Sequence, residues 1–568
     1  MRKEKTVAIS HKDGPFERIF LTGWQPYLWI LFVGLLIYAH TAFFGLTYLD
    51  DSVLLLNNQG FLNKLSNIFH SFNQDVFYVR HEYAAAYRPM LIISFILDTR
   101  LGGGSTFLYH FTNIIMHAIA ACLVFHLFIK LRYKKELAFF LSLIFATHPM
   151  LTQAVAWIPG RNDLLLALFA IPAFICFLYF LKAGKWRYYI LHMLFFALAL
   201  FTKESALALI FLCVVYYNIV TKKTPSPSEK AILAAGWFFI TLVWFLLRQE
   251  ALSYNPVVLK VSEMASHLFW GAPAILLYIG KSALPFNLSV IPTMEDATLI
   301  YGAIVAVAIT VALVFSKHKR YNFIVFGSLW CVLFLVPSFV RARPLSTPSF
   351  FEHRAYLAIL GFFIVLSEVD AIKNLSFKKG GTAFSAFVIL AVFSAVTIKY
   401  SYNFQDRSTF WKGAVNKSPH SPLAQAGLGS LYVSEGMLDE AEYRYKKALE
   451  INPNENYIHN DLGYLYMTKG LPKKAEAEYR MELKISPDFA GPYVDLGYLC
   501  YKDGRLKEAE DLWKRALVLN PNDISASKNL AIYYYEKKDF KKALRYVLEL
   551  KKRGVDMPQE FLKTVGGN

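Results

Sequence analysis

Charge is scarce in this sequence. Only 18% of its 568 residues are Asp, Glu, Lys or Arg, against roughly 25% in an average soluble domain. That deficit excludes a disordered chain and excludes an entirely soluble protein. Cysteine is scarcer still. Four of the five lie in apolar stretches (Cys122, Cys176, Cys213 and Cys331) and Cys500 stands alone in a polar region. No CxxC spacing occurs, so neither a disulfide framework nor a thiolate metal site is expected. Acidic residues are short as well, 42 against 60 Lys and Arg, for a formal net charge of +18. The basic excess does not form a nucleic-acid surface. It clusters beside apolar segments, at Arg2, Lys3 and Lys5, at Arg132, Lys134 and Lys135, at Lys182, Lys185 and Arg187, at Lys222 and Lys223, at Lys317, Lys319 and Arg320, and at Lys378 and Lys379. Cytoplasmic loops of membrane proteins look like this, and no nucleic-acid partner is expected.

What the chain has in abundance is apolar length. Hydrophobic residues make up 55%, with 48 Phe and 34 Tyr, and the mean hydropathy is +0.34. From about Trp24 to Tyr400 apolar stretches follow one another with short polar breaks. A spanning helix needs about 20 apolar residues, which leaves room for about eleven spans. The expected class is all-α: a polytopic membrane domain over residues 1–400 and a soluble domain over 401–568.

The basic loops set a topology. A cytoplasmic N-terminus and an uncleaved first span near Trp24–Leu46 deliver Tyr48-Leu49-Asp50-Asp51 to the outer face. A last span near Thr382–Tyr400 leaves the C-terminal domain outside. Opposite ends require an odd number of spans, yet twelve apolar segments can be counted. The segment His267–Leu284, carrying Gly271, Pro273 and Gly280, therefore reads as re-entrant or interfacial, a backbone irregularity tolerated only against protein or water.

The C-terminal region repeats with a period of 34. Pro419, Pro453, Pro487 and Pro521 share the register, as do Gly429, Gly463, Gly497 and Ala531, and Ala441, Ala475, Ala509 and Ala543. Gly436, Gly470 and Gly504 mark a turn inside each unit. This is the tetratricopeptide pattern, three units and a partial fourth, and it implies an α-solenoid with a concave binding surface.

Polar groups near membrane depth are costly and usually functional. Six sets fall at or near the outer face: Asp50-Asp51 with Asn57-Asn58; Tyr87-Arg88-Pro89 with His81 and Glu82; Tyr109-His110, Asn113 and His117 on one helix face; His148-Pro149 with Gln153, Arg161 and Asp163; Lys203-Glu204; and Glu352-His353-Arg354 with Tyr356. Adjacent carboxylates suit a positioned base, and arginines suit an anionic group. His110, Asn113 and His117 read as a polar seam against the first outer loop rather than as metal ligands. Lys203 and Glu204, adjacent, must find partners on other helices. Together the six sets describe an outward cavity for a negatively charged, lipid-borne substrate.

In this order, and followed by the repeats, these motifs resemble the transmembrane and tetratricopeptide repeat-containing family, protein O-mannosyltransferases of the glycosyltransferase-C superfamily. The resemblance implies a polyprenyl- or dolichyl-phosphate sugar donor, a Ser or Thr hydroxyl of a protein acceptor and an inverting transfer, with no cofactor and no metal. It implies a catalytic role for Asp50 as base with Asp51 as its neighbour. It implies donor-phosphate or substrate binding by Arg88, His117, His148, Arg161, Lys203, Glu204, Glu352 and Arg354. Partners would be the lipid-linked donor, membrane lipids and a protein acceptor engaged by the repeats. The location would be a bacterial inner membrane with the repeats in the periplasm, or the endoplasmic reticulum with the repeats in the lumen. Two features depart from the family: Gln153 stands where Glu is common after the His-Pro pair, and the repeat array is short. An oligosaccharide ligase using polyprenyl-diphosphate glycans and a non-catalytic repeat scaffold remain as alternatives.

Overall fold

The computed structural model describes residues 16–77, 86–221, 225–252, 260–340, 347–377, 380–552, 555, 557–558 and 561. Of the residues singled out above, Arg2, Lys3, Lys5, His81, Glu82, Lys222, Lys223, Lys378 and Lys379 lie outside them. Every regular element among the described residues is helical.

Among the described residues, six helices are long and apolar enough to cross a membrane: Gln25–Phe43, Thr106–Lys130, Ile158–Ala183, Pro227–Ala251, Tyr321–Phe339 and Gly380–Phe404. A seventh candidate, Lys135–Thr147 with Pro149–Ala156, bends by 50° at the His148-Pro149 pair. Four apolar helices are shorter: Trp186–Leu200, Glu204–Val220, Ala274–Ala283 and Ile300–Phe315. The chain is a multi-pass membrane protein. The stretch His267–Leu284 is broken at Ala272-Pro273 into Val261–Gly271 and Ala274–Ala283. At about 1.5 Å per residue neither piece reaches the roughly 30 Å of a bilayer core.

Small residues let these helices meet. A β-carbon on Gly361 would sit 2.3 Å from the Gly327 carbonyl oxygen and 2.5 Å from the Cys331 nitrogen. One on Gly302 would sit 1.8 Å from the Leu276 carbonyl oxygen. In lipid, where no water drives association, close backbone packing of this kind holds helices together. Around these crossings Phe174, Phe326, Trp330 and Tyr216 interlock at 5.3–5.8 Å, mostly edge to face.

The C-terminal part is a solenoid of helix pairs: Pro422–Ser434 with Leu438–Ile451, Ile458–Thr468 with Pro472–Ile485, Ala490–Lys502 with Leu506–Leu519, and Ile524–Glu536 with Phe540–Lys552. The registers have a direct cause. A β-carbon on Gly429, Gly463 or Gly497 would strike Tyr445, Tyr479 or Trp513 of the paired helix at 2.9, 2.6 and 2.6 Å. The expected partial fourth unit is a complete pair. Its turn uses Lys538 at φ 60° where the others use Gly436, Gly470 and Gly504, so the glycine signal was missing.

Candidate active site

The acidic pair follows the first spanning helix on a short bend. Asp51 is buried, and its Oδ2 accepts from the Thr47 backbone N–H (2.5 Å) and hydroxyl (2.9 Å). Asp50 beside it is half-buried, and its carbonyl starts the next helical turn by accepting from the Val53 and Leu54 N–H groups. Burial raises the Asp51 pKa, opposed by Thr47 and by the indole of Trp157. Burial therefore favours a proton on Asp51.

Trp157 connects this pair to the rest of the site. Its ring lies 5.5 Å from the His353 imidazole and stacks on Phe351 at 6.5 Å. His353 is held neutral by burial and by Lys203, Arg354 and Arg88 around it. Its Nε2 is 4.0 Å from Asp163 Oδ2, while Asp163 Oδ1 accepts from Lys203 Nζ at 2.8 Å. The partner required for Lys203 thus comes from the start of the Ile158–Ala183 helix. Glu204 feels Arg88, Lys203 and Arg248, and Arg354 feels Asp163 and Arg88. Arg354 Nη1 donates to the Ser338 and Ser349 carbonyls at 3.1 and 2.8 Å. Asp163, Lys203, Glu204, Ser205, Ser338 and Arg354 line a cavity of about 30 Å³. Four distant stretches, around residues 88, 163, 203 and 353, converge here.

Four of the expected site residues lie elsewhere or are already committed. Arg161 is fully buried: Nε donates to Asn113 Oδ1 (2.7 Å), Nη2 to the Tyr109 carbonyl (2.6 Å), and Nη1 pairs with Asp98 Oδ2 (2.7 Å) and reaches Ser94. Glu352 takes Lys281 (2.7 Å) and the Ser289 N–H (3.1 Å) on Oε1 and the Tyr400 hydroxyl (2.9 Å) on Oε2. His148 accepts from the Met150 N–H on Nδ1, so its Nε2 donates to the Ser282 carbonyl (3.1 Å). His117 Nε2 donates to the Ala146 carbonyl (3.1 Å) and Nδ1 accepts from Tyr356 (2.7 Å). Of the seam, His110 reaches the first loop through the Gly45 carbonyl (3.1 Å), and Asn113 instead faces Arg161 and residues 155–158. Asp163 and His353 belong to the cluster and were visible in the motifs. Trp157 carried no such signal, because one aromatic among many announces nothing.

Residues 89–247 match the family model described as dolichyl-phosphate-mannose-protein mannosyltransferase. Residues 412–470 and 490–523 match tetratricopeptide-repeat models. The human protein O-mannosyl-transferase TMTC1 is 24% identical over 438 residues, 64% of this chain and 48% of that protein. The Caenorhabditis elegans protein O-mannosyl-transferase F38B6.6 is 23% identical over 424 residues, 71% and 59% respectively. The chain is thus similar to these mannosyltransferases in both its membrane part and its repeats. It spans about half the length of the curated relatives it matches. The mannosyltransferase match contains Asp163, Lys203 and Glu204; Asp50-Asp51 and the 352–356 motif lie outside it.

Proposed function

We propose that the protein is a membrane glycosyltransferase that moves mannose or another hexose from a polyprenyl- or dolichyl-phosphate donor to Ser or Thr hydroxyls of proteins. The observation that carries this reading is the gathering of Arg88, Lys203 and Arg354 around Asp163 and Glu204, joined to Asp50-Asp51 through Trp157 and His353. The cationic side chains gathered here suit a phosphate ester. The matched family and the names of the relatives supply the class of donor.

The reaction is a single displacement. Asp50 accepts the proton of the acceptor hydroxyl as its oxygen bonds to the anomeric carbon. The bond from that carbon to the phosphate oxygen breaks, and its electron pair leaves with the lipid phosphate. Arg354 and Arg88 stabilise the charge that collects there. Asp51, held by Thr47, positions its neighbour. Glu352, His117, His148 and Arg161 support the walls. In the membrane, the catalytic face and the repeats lie outside, with residues 401–568 engaging the acceptor.

The purified protein should be offered radiolabelled polyprenyl-phosphate mannose, glucose and galactose and a polyprenyl-diphosphate glycan, with an envelope-protein extract. Label reaching protein only from a monophosphate sugar supports the reading. Transfer only from the diphosphate glycan would replace it with an oligosaccharide ligase.

A further inference from the structure

The loop of the acidic pair opens on Tyr48 at φ 61°. An aromatic residue rarely adopts that left-handed conformation, which persists only where the surroundings impose it. Here the surroundings are the base of the solenoid. The Arg407 guanidinium lies 5.1 Å from the centroid of the Tyr48 ring, a cation–π contact. Arg407 begins the helix Arg407–Lys417 and is itself fixed. Its Nη1 donates to the Ser434 hydroxyl (3.0 Å) and its Nη2 to the Ser430 hydroxyl (3.1 Å), both on the first repeat helix. Leu49, between Tyr48 and Asp50, packs against the cluster that holds Phe404, Phe410 and Trp411.

A second contact reaches the other side of the site. Glu455 is buried in the turn after the first helix pair. Its Oε2 accepts from the Thr347 N–H at 2.9 Å and from Asn452 Nδ2 at 2.8 Å, and Asn452 Nδ2 also reaches the Thr347 hydroxyl at 3.3 Å. Two residues on, the Ser349 carbonyl accepts from Arg354. Between these two contacts the solenoid is stiff. The helix Pro422–Ser434 meets Trp411 at Gly427 and Tyr445 at Gly429, with no room for a β-carbon at either. A module that only captured a partner would need to touch neither loop.

We propose that the first repeat unit is part of the frame of the active site, with Arg407 and Glu455 as positioning residues. Arg407 fixes the acidic loop and Glu455 fixes the loop that Arg354 bonds. The unit between them sets the separation of base and phosphate site. This rests on the transferase reading, which gives Asp50 and Arg354 their roles, and it gives the repeats a task beyond engaging the acceptor.

Hydrogen exchange on the full chain in detergent reads the frame without any reaction. Arg407→Ala should speed exchange over residues 46–54 about threefold, the worth of one cation–π contact, and leave 347–354 unchanged. Glu455→Ala should do the reverse. Transfer from the polyprenyl-phosphate sugars then separates positioning from simple stability. Arg407→Ala should lower kcat about tenfold, since small misplacements of a reacting group are costly, with the donor KM held. Glu455→Ala should raise the donor KM. Arg407→Lys keeps a cation over the ring and Glu455→Gln keeps an acceptor, so each should recover most of its loss. If Arg407→Ala fails to fold, by its thermal transition, Tyr48→Leu removes the same contact from the loop side. Unchanged exchange in both loops overturns the frame. So does exchange that rises equally over the second repeat, residues 458–485, or a loss that the conservative variants do not recover. Loop-specific changes in a protein that transfers no sugar uphold the frame and overturn the transferase.

Discussion

Arg161 and Arg354 show how differently one residue type can be used. Both stand out in the sequence as charges beside apolar runs. Arg161 spends its donors on Asn113, Tyr109, Ser94 and Asp98, whereas Arg354 bonds two carbonyls and borders the cavity. Replacing Arg161 by Ala strands the Asp98 carboxylate, at a cost of about 3–5 kcal/mol for a broken buried pair. The thermal transition of the detergent-solubilised variant should fall steeply. A folded variant with only weaker donor binding would contradict this. The sequence could not distinguish the two arginines, because Asp98 is 63 residues from Arg161 and spacing does not reveal who accepts a hydrogen bond. Asp75 carries a second prediction. It is buried, and desolvation pushes its pKa from 3.8 up to about 7. The fold favours the protonated form, so its stabilisation is complete below about pH 4 and is lost as pH rises through 7. Between pH 5 and pH 8 wild type should lose thermal stability, and Asp75→Asn should lose less and be the more stable at pH 8. Equal slopes for the two proteins would refute the assignment.

Among the elements, the helices beside the cation cluster depend on a glycine contact. Tyr321–Leu335 and Ala358–Leu366 cross where Gly327 meets Gly361. Arg354 precedes the second helix and Ser338 follows the first, so this crossing fixes the guanidinium over its carbonyls. Gly361→Val should abolish monodisperse folded protein on size-exclusion chromatography, since a β-carbon there overlaps backbone atoms rather than yielding side chains. A normal elution profile would mean the crossing is looser than its geometry. The repeat units were legible because the 34-residue period records close contacts directly. The shorter membrane helices were not. Hydropathy reports how apolar a stretch is, and the breaks at His148-Pro149 and Ala272-Pro273 are settled by tertiary packing.

The whole molecule couples the two parts. Buried Ser289, in the loop before Ile300–Phe315, shares a 2.8 Å hydroxyl contact with buried Ser418, and the Gly45 N–H donates to the Gln405 carbonyl at 2.7 Å. Phe44, Trp157 and Val290 pack in one apolar cluster with Trp411 and Leu428. The same loop that carries the acidic pair and the same tryptophan that walls the site thus touch the base of the solenoid. Ser289→Cys/Ser418→Cys should cross-link under mild oxidation, seen as a faster band on a non-reducing gel that reductant removes. No cross-link would mean the repeats stand away from the membrane part. None of this docking was legible in the sequence, where the domains read as consecutive and independent. The gathered charges were partly legible, since the motifs pointed to one face without saying which of them meet. The most direct measurement is the rate of sugar transfer from polyprenyl-phosphate donor to protein by wild type, Asp50→Asn and Arg354→Ala, each verified as folded. Loss of a positioned base predicts a fall of about 10²–10⁴ for Asp50→Asn, and loss of the phosphate ligand a fall of about 10² or more for Arg354→Ala. Near-wild-type transfer by the Asp50→Asn protein would contradict the account.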